Sequence, residues 1–260
     1  MKKNRFLKLA SGMLILCLIT TCAISTTFAK YATGGDAQDT ARVAKWGVEL
    51  VMEGDPIFHK EYATHDAGGY AGLSVKADAQ VVAPGTNSKD AASSARFKLT
   101  GKPEVASRIT INFNYTNDVY LKAGTYYDGT KAAVEVAGNK TYKTFDLGAD
   151  YYPVVFTLKQ VGKVDASGNY VACNEVLESG NLAKIKAFLD AYGTKDYAPN
   201  AKLDCEFELS WAWAFDSNDA ADTLLGNLAA NTIPTGYEVA ADKYNLNVNY
   251  TLSITVEQID

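Results

Sequence analysis

Histidine is almost absent: His59 and His65 are the only two in 260 residues. No HExxH, GxSxG, P-loop or dinucleotide fingerprint occurs, and no Cys–His pairing stands out. The chain therefore offers no recognisable catalytic motif. Cysteine is scarce too, at four residues, and proline at six. That excludes a disulfide knot and a collagen-like chain, while a hydrophobic content of 47% excludes a disordered one. There is no basic surplus, the formal net charge being −5. Lys2, Lys3, Arg5 and Lys8 fall in the first 29 residues, which hold no acid; without those four of the 25 bases, 21 face 30 acids. An acidic body argues against nucleic-acid partners and anionic membrane surfaces, both of which need a basic patch.

One long apolar run is present. Residues 2–8 (KKNRFLK) are basic, residues 9–25 are apolar and uncharged, and Thr27-Phe28-Ala29 supplies small residues before Lys30. This is the layout of an export signal, with cleavage expected between Ala29 and Lys30. A membrane anchor is the rival reading, for which the run falls short of the roughly 20 residues needed. Cys17 and Cys22 have no lipobox-like context, no second span follows, and the C-terminus shows no sorting signal. A secreted protein at the cell surface or in the extracellular matrix, without a covalent wall anchor, is expected. Cys17 and Cys22 leave with the signal. Cys173 and Cys205 remain where disulfides can persist; they either close a loop of about 32 residues or stand as two separate buried thiols.

The body alternates with period two, which puts one set of side chains on one face of a sheet. Leu203, Cys205, Phe207, Leu209, Trp211, Trp213 and Phe215 alternate with a mostly polar set. Tyr244, Leu246, Val248, Tyr250, Leu252, Ile254 and Val256 repeat the pattern. Further strands are expected around Ile109–Tyr115, Phe156–Leu158, Phe97–Leu99 and Ala44–Met52, the last including Trp46. Ala83-Pro84-Gly85 and Asp128-Gly129 are breaks, and Asp165–Asn169 reads as a hairpin turn. Two short amphipathic helices interrupt the strands. One spans 180–193, with Asn181 as cap and Gly193 as stop; the other spans 218–230, capped by Asn218 or Asp219. The expected fold is all-β: a jelly-roll-like antiparallel β-sandwich with two helical insertions. Residues 1–29 form the signal, 30–43 an N-terminal arm and 44–260 a single domain.

Candidate metal ligands are few. His59, His65, Glu53, Asp55, Glu61 and Asp66 cluster in sequence, but two His six apart do not make the helical zinc pair, so a solvated loop between strands is expected. Asp216, Asp219 and Asp222 are three apart with no Gly among them, which suits a helix start better than a calcium loop. No cofactor is called for. Trp211 and Trp213 alternate with Phe207 and Leu209, so they read as core rather than as a sugar-stacking platform.

Three segments carry a resemblance. The junction Thr26-Thr27-Phe28-Ala29-Lys30-Tyr31, the stretch 81–115 and the run LSWAWAFDSNDAADTLLG at 209–226 together span about a quarter of the chain. They resemble the TasA/camelysin family of exported bacterial proteins. The resemblance implies a jelly-roll subunit, cleaved by a signal peptidase, that assembles with itself and with minor fibre proteins into biofilm-matrix or surface fibres. It also implies donor-strand addition, in which the arm beginning Lys30, Tyr31, Ala32, Thr33 completes a sheet in the next subunit. Strand addition needs backbone hydrogen bonds and no catalytic residue. Residues 30–41 (KYATGGDAQDTA) are polar, with Tyr31 the one large apolar side chain; donor arm and plain tail both fit that composition. Two other readings belong to different classes. Camelysin-like relatives have been classed as metallopeptidases, against which stand the missing HExxH and the count of two His. A carbohydrate-binding surface module would need outward-facing aromatics.

Overall fold

The computed structural model describes residues 42–53, 56–63, 73–88, 95–203, 205–215 and 218–259. Ala44–Asp260 form one compact unit; the unit before it, Met1–Val43, contributes only Arg42 and Val43 to the described residues. Ala29, Lys30, Tyr31, Ala32 and Thr33 therefore lie outside them, as do His65 and Asp216.

The first half of the unit is almost wholly strands. They are β1 (Val48–Glu53), β2 (His59–Ala63), β3 (Leu73–Val81), β4 (Ala95–Gly101) and β5 (Ser107–Asn117). Short strands follow: β6 (Tyr120–Leu121), β7 (Gly124–Tyr127), β8 (Val134–Val136), β9 (Asn139–Thr141) and β10 (Thr144–Leu147). Then come β11 (Val154–Val164), β12 (Tyr170–Gly180), helix α1 (Leu182–Tyr192) and β13 (Thr194–Tyr197). The chain closes with β14 (Cys205–Trp213), helix α2 (Asp219–Ala229), β15 (Tyr244–Asn245) and β16 (Asn249–Gln258).

Every strand pairing is antiparallel. One sheet has the order β1-β4-β14-β11-β12, and a second has β13-β5-β16. Two-stranded ribbons β2-β3, β10-β7, β15-β6 and β8-β9 complete the set. The sequence's reading of an all-β sandwich with two helical insertions holds.

The alternation read from the sequence is what lines the core. Phe97, Leu99, Phe207, Leu209, Trp211, Trp213, Phe156 and Leu158 are buried on the five-stranded sheet, and Ile109, Ile111 and Phe113 on the other. The two faces meet through aromatic rings: Tyr250 on β16 lies 6.4 Å from Phe156 and 5.5 Å from Phe113. Offset and edge-on contacts of this kind add to what area burial alone supplies.

Local chemistry sets the boundaries. At the β11–β12 turn the Asp165 carboxylate accepts from the Ser167 and Asn169 N–H groups, each at 2.9 Å, and Gly168 takes a φ of +81° that a β-carbon would strain. Asn181 caps α1 by accepting from the Lys184 N–H at 3.0 Å, and Gly193 ends it, its N–H reaching the Leu189 carbonyl. Helix α1 packs Leu182, Ile185 and Leu189 inward and touches β5, β11 and β12, so it seals one flank of the sandwich. The cap of α2 is Asn218, accepting from the Ala221 N–H, while Asp219 stands in the first turn.

Several expectations are corrected. The tryptophan strand stops at Trp213 because residues 85–86 take over its backbone: the Gly85 N–H bonds the Trp213 carbonyl and the Trp213 N–H bonds the Thr86 carbonyl. Phe215 is then 75% exposed, not a core residue. The intended polar face of β14 is not solvated in its middle. Glu208 and Ser210 are buried, and the Arg96 guanidinium grips the Glu208 carboxylate at 3.0 and 2.7 Å. The C-terminal alternation is broken in two. Asn245 accepts from the Asn247 N–H in a local turn, so β15 pairs with β6 and only β16 pairs with β5. Trp46 lies before β1, 38% exposed, because Gly47 at φ +51° turns the chain out of the strand. His59 is not in a solvated loop. It opens β2, its N–H donates to the Tyr62 hydroxyl at 2.9 Å, and its ring meets the Tyr62 ring edge-on.

Cys173 and Cys205 are not joined in a disulfide. Cys173 sits on β12 and Cys205 on β14, with β11 between them. Two strand spacings of about 4.8 Å put the backbones beyond the roughly 7 Å that a disulfide spans. The Cys173 thiol instead donates to the Gln160 carbonyl at 3.1 Å, at the irregularity where β11 and β12 shift register.

Candidate functional site

Sheet edges are the sites an assembling β-protein can use, because an edge strand presents unpaired N–H and C=O groups. The two sheets end in β1, β12, β13 and β16. Three of the four carry features that discourage pairing. Strand β12 is broken by two register shifts against β11, and Glu175 holds an ion pair with Lys163. Strand β13 has four residues, with Asp196 gripped by Arg108 at 2.7 and 2.8 Å. Strand β1 has six residues and carries the exposed Glu49.

Strand β16 differs. It has ten residues, an unbroken register with β5 from Tyr250 to Gln258, and one charge, Glu257. Among the described residues it is hydrogen-bonded to β5 alone. Its inward row, Tyr250, Leu252, Ile254 and Val256, is half-buried, while the facing β5 row, Ile109, Ile111 and Phe113, is buried. Val48 and Leu50 on β1 are half-buried too and pack on the same core. The sheet of β5 is thus two strands narrower than its partner sheet, and the apolar row at its margin is incompletely covered.

The chain enters the compact unit at a fixed point. The Lys45 N–H donates to the Glu104 carboxylate at 2.9 Å, and the Glu104 N–H returns to the Lys45 carbonyl. Lys45, at the start of the unit, is thus held against the segment that precedes β5.

One acid of the run, Asp222, is used structurally. Asp222 is buried, and its Oδ1 accepts from the Trp213 indole N–H at 3.1 Å and the Tyr151 hydroxyl at 2.7 Å. That ties α2 to β14 and explains an acid on the helix's inner face. Among the described residues no group of three or more His, Cys, Asp or Glu side chains is arranged to hold a metal, and no helix is long and apolar enough to cross a membrane.

A residue the sequence reading passed over is Asp118, between β5 and β6 and 5% exposed. Its Oδ2 accepts from the Leu182 N–H at the start of α1, and Oδ1 is buried without a partner. Burial pushes its carboxyl up to about 6, against the Leu182 and Val119 N–H groups, which favour the anion. The folded protein then holds this proton more tightly than the unfolded chain does. Its contribution to stability is therefore best below pH ~4 and declines as pH rises towards ~6, by about 3 kcal/mol in all. Asp118→Asn keeps an acceptor for Leu182 and removes the charge. The variant is expected to match the parent in urea unfolding at pH 4 and to exceed it by about 2 kcal/mol at pH 8; equal stability at both pH values would refute the assignment. No sequence signal marks this residue, since its burial comes from a helix 64 positions away.

Compared with known proteins, the chain matches no protein-family model and no curated protein.

Proposed function

We propose that this protein is an exported structural subunit that polymerises head to tail into surface or matrix fibres. The N-terminal arm of one copy, beginning at Lys30, adds as a strand beside β16 of the next. The observation that carries this reading is the long, nearly uncharged edge of β16 with its half-buried row Tyr250, Leu252, Ile254 and Val256. The lengths agree. Twelve arm residues, 30–41, extend to about 40 Å, against about 33 Å for the ten residues of β16. A head-to-tail contact in which each arm pairs with the next copy does not close on itself, which gives a filament. Tyr31 supplies the one large side chain that can cover the open row. The resemblance of residues 26–31, 81–115 and 209–226 to the TasA/camelysin family favours the same reading.

The test uses residues 30–260, observed by electron microscopy, with a synthetic peptide of residues 30–43 as competitor. Filaments are expected without the peptide, and short or absent filaments with it in molar excess. Leu252→Asp with Ile254→Asp should stop assembly and peptide binding while circular dichroism stays β-type. Filaments that ignore both the peptide and the paired substitution would overturn β16 as the acceptor.

A further inference from the structure

Beyond the fibre reading, and independent of it, we propose that a cleft beside the tyrosine cluster Tyr127–Tyr142–Tyr237 binds a neutral polysaccharide. The cleft has a volume of about 370 Å³ and lies between β7, β10 and residues 236–243. That is at the lower end of small-molecule sites, a size suited to one or two sugar rings rather than to a whole folded partner. None of its lining residues comes from β16 or another of the four edges.

The aromatic part is built in advance. The ring centres stand 5.2 Å apart for Tyr127 and Tyr142, 5.4 Å for Tyr142 and Tyr237, and 6.0 Å for Tyr127 and Tyr237. The Tyr237 hydroxyl accepts from the Tyr142 N–H at 3.2 Å and donates to the Tyr142 carbonyl at 3.4 Å. Anchored at its tip, the Tyr237 ring cannot swing away without losing both bonds. All three rings are half-buried, Tyr127 packs against the core, and Tyr127 and Tyr237 line the cleft. Rigid, amphipathic tyrosines lose little conformational entropy on contact, which suits them to recognition.

The polar part matches hydroxyl groups. Thr125, Thr144 and Lys243 are exposed in the lining, beside the Glu238 carboxylate. The Gly236 N–H reaches both Glu238 oxygens at 3.0 and 2.9 Å and holds that carboxyl below its usual range. An ionised acceptor, hydroxyls and an ammonium next to a ring face are the groups that meet the two sides of a pyranose: its C–H face on the ring, its hydroxyls on the polar rim. Asp146, which accepts from the Thr125 hydroxyl at 2.6 Å, adds negative charge. With an acidic body as well, the rim disfavours uronic-acid polymers and nucleic acids and selects an uncharged glycan.

The test is native electrophoresis of residues 30–260 through gels containing hydroxyethylcellulose or galactomannan, with calorimetry against cellohexaose and mannohexaose. Retardation in at least one polysaccharide gel, relative to a plain gel, is expected. Tyr237→Ala and Glu238→Gln should each weaken binding about tenfold, while Tyr237→Phe, which keeps the ring, should retain most of it. Glu238 is exposed, so its variant remains decisive if Tyr237→Ala fails to fold. Retardation should persist after deletion of residues 30–41, which separates this site from the fibre contact. No retardation by either polymer, or retardation unchanged in both Tyr237→Ala and Glu238→Gln, would overturn the proposal.

Discussion

Deleting residues 30–41 is expected to abolish filaments and leave a folded monomer. The described core begins at Ile57, and its anchors Phe156, Trp211 and Phe113 all lie far downstream, so the deletion removes none of them. Unfolding by urea should shift by no more than about 0.5 kcal/mol, the ordinary range for changes away from a core. The effect on assembly is large for a physical reason. Backbone hydrogen bonds are worth only about 0.5–1.5 kcal/mol each, and ordering an extended arm costs about 1–2 kcal/mol per residue. Strand pairing by itself is therefore close to neutral, and covering Leu252, Ile254 and Val256 decides the affinity. Tyr31→Ala should accordingly weaken assembly more than any other single change in the arm. Normal filaments from the shortened protein would rule the arm out as donor. An unfolded product would place residues 30–41 in the subunit's own sheet.

Trp211→Ala is expected to destabilise the fold by about 3–5 kcal/mol, a large part of the 5–15 kcal/mol typical of a domain. Trp211 is 2% exposed. Its indole N–H donates to the Ile57 carbonyl at 2.6 Å, and its ring lies 5.5 Å from Phe58 and 5.7 Å from Tyr62. It is thus the point where the segment before β2 is fastened to the five-stranded sheet. Trp211→Phe fills most of the space but leaves the Ile57 carbonyl unpaired, a penalty of about 1–3 kcal/mol. Denaturant midpoints by circular dichroism should rank parent, Trp211→Phe, Trp211→Ala. A Trp211→Ala protein as stable as the parent would show that this fastening is dispensable. The same experiment with Phe215→Ala, an exposed ring, should change little.

The sequence by itself determined the class of fold. Period-two alternation survives any packing, because successive side chains on a strand must point to opposite faces. Strands β5, β11 and β14 and both helices with their caps were legible for that reason, as was the Asp165–Asn169 turn. Tertiary structure decided what depends on residues distant in the chain. That Cys173 and Cys205 stay apart follows from a strand inserted between theirs, which spacing in sequence does not reveal. Glu208 is buried because Arg96, 112 positions away, reaches it. Trp46 and Phe215 fit the alternation yet lie outside the core, since alternation says which face a side chain takes and not where the strand ends. Asp118, buried beside the start of α1, and the tyrosine cluster next to the cleft, drawn from positions 127, 142 and 237, come together only in the fold. Local periodicity is a property of the backbone and is written in the sequence; burial and proximity belong to the packed whole.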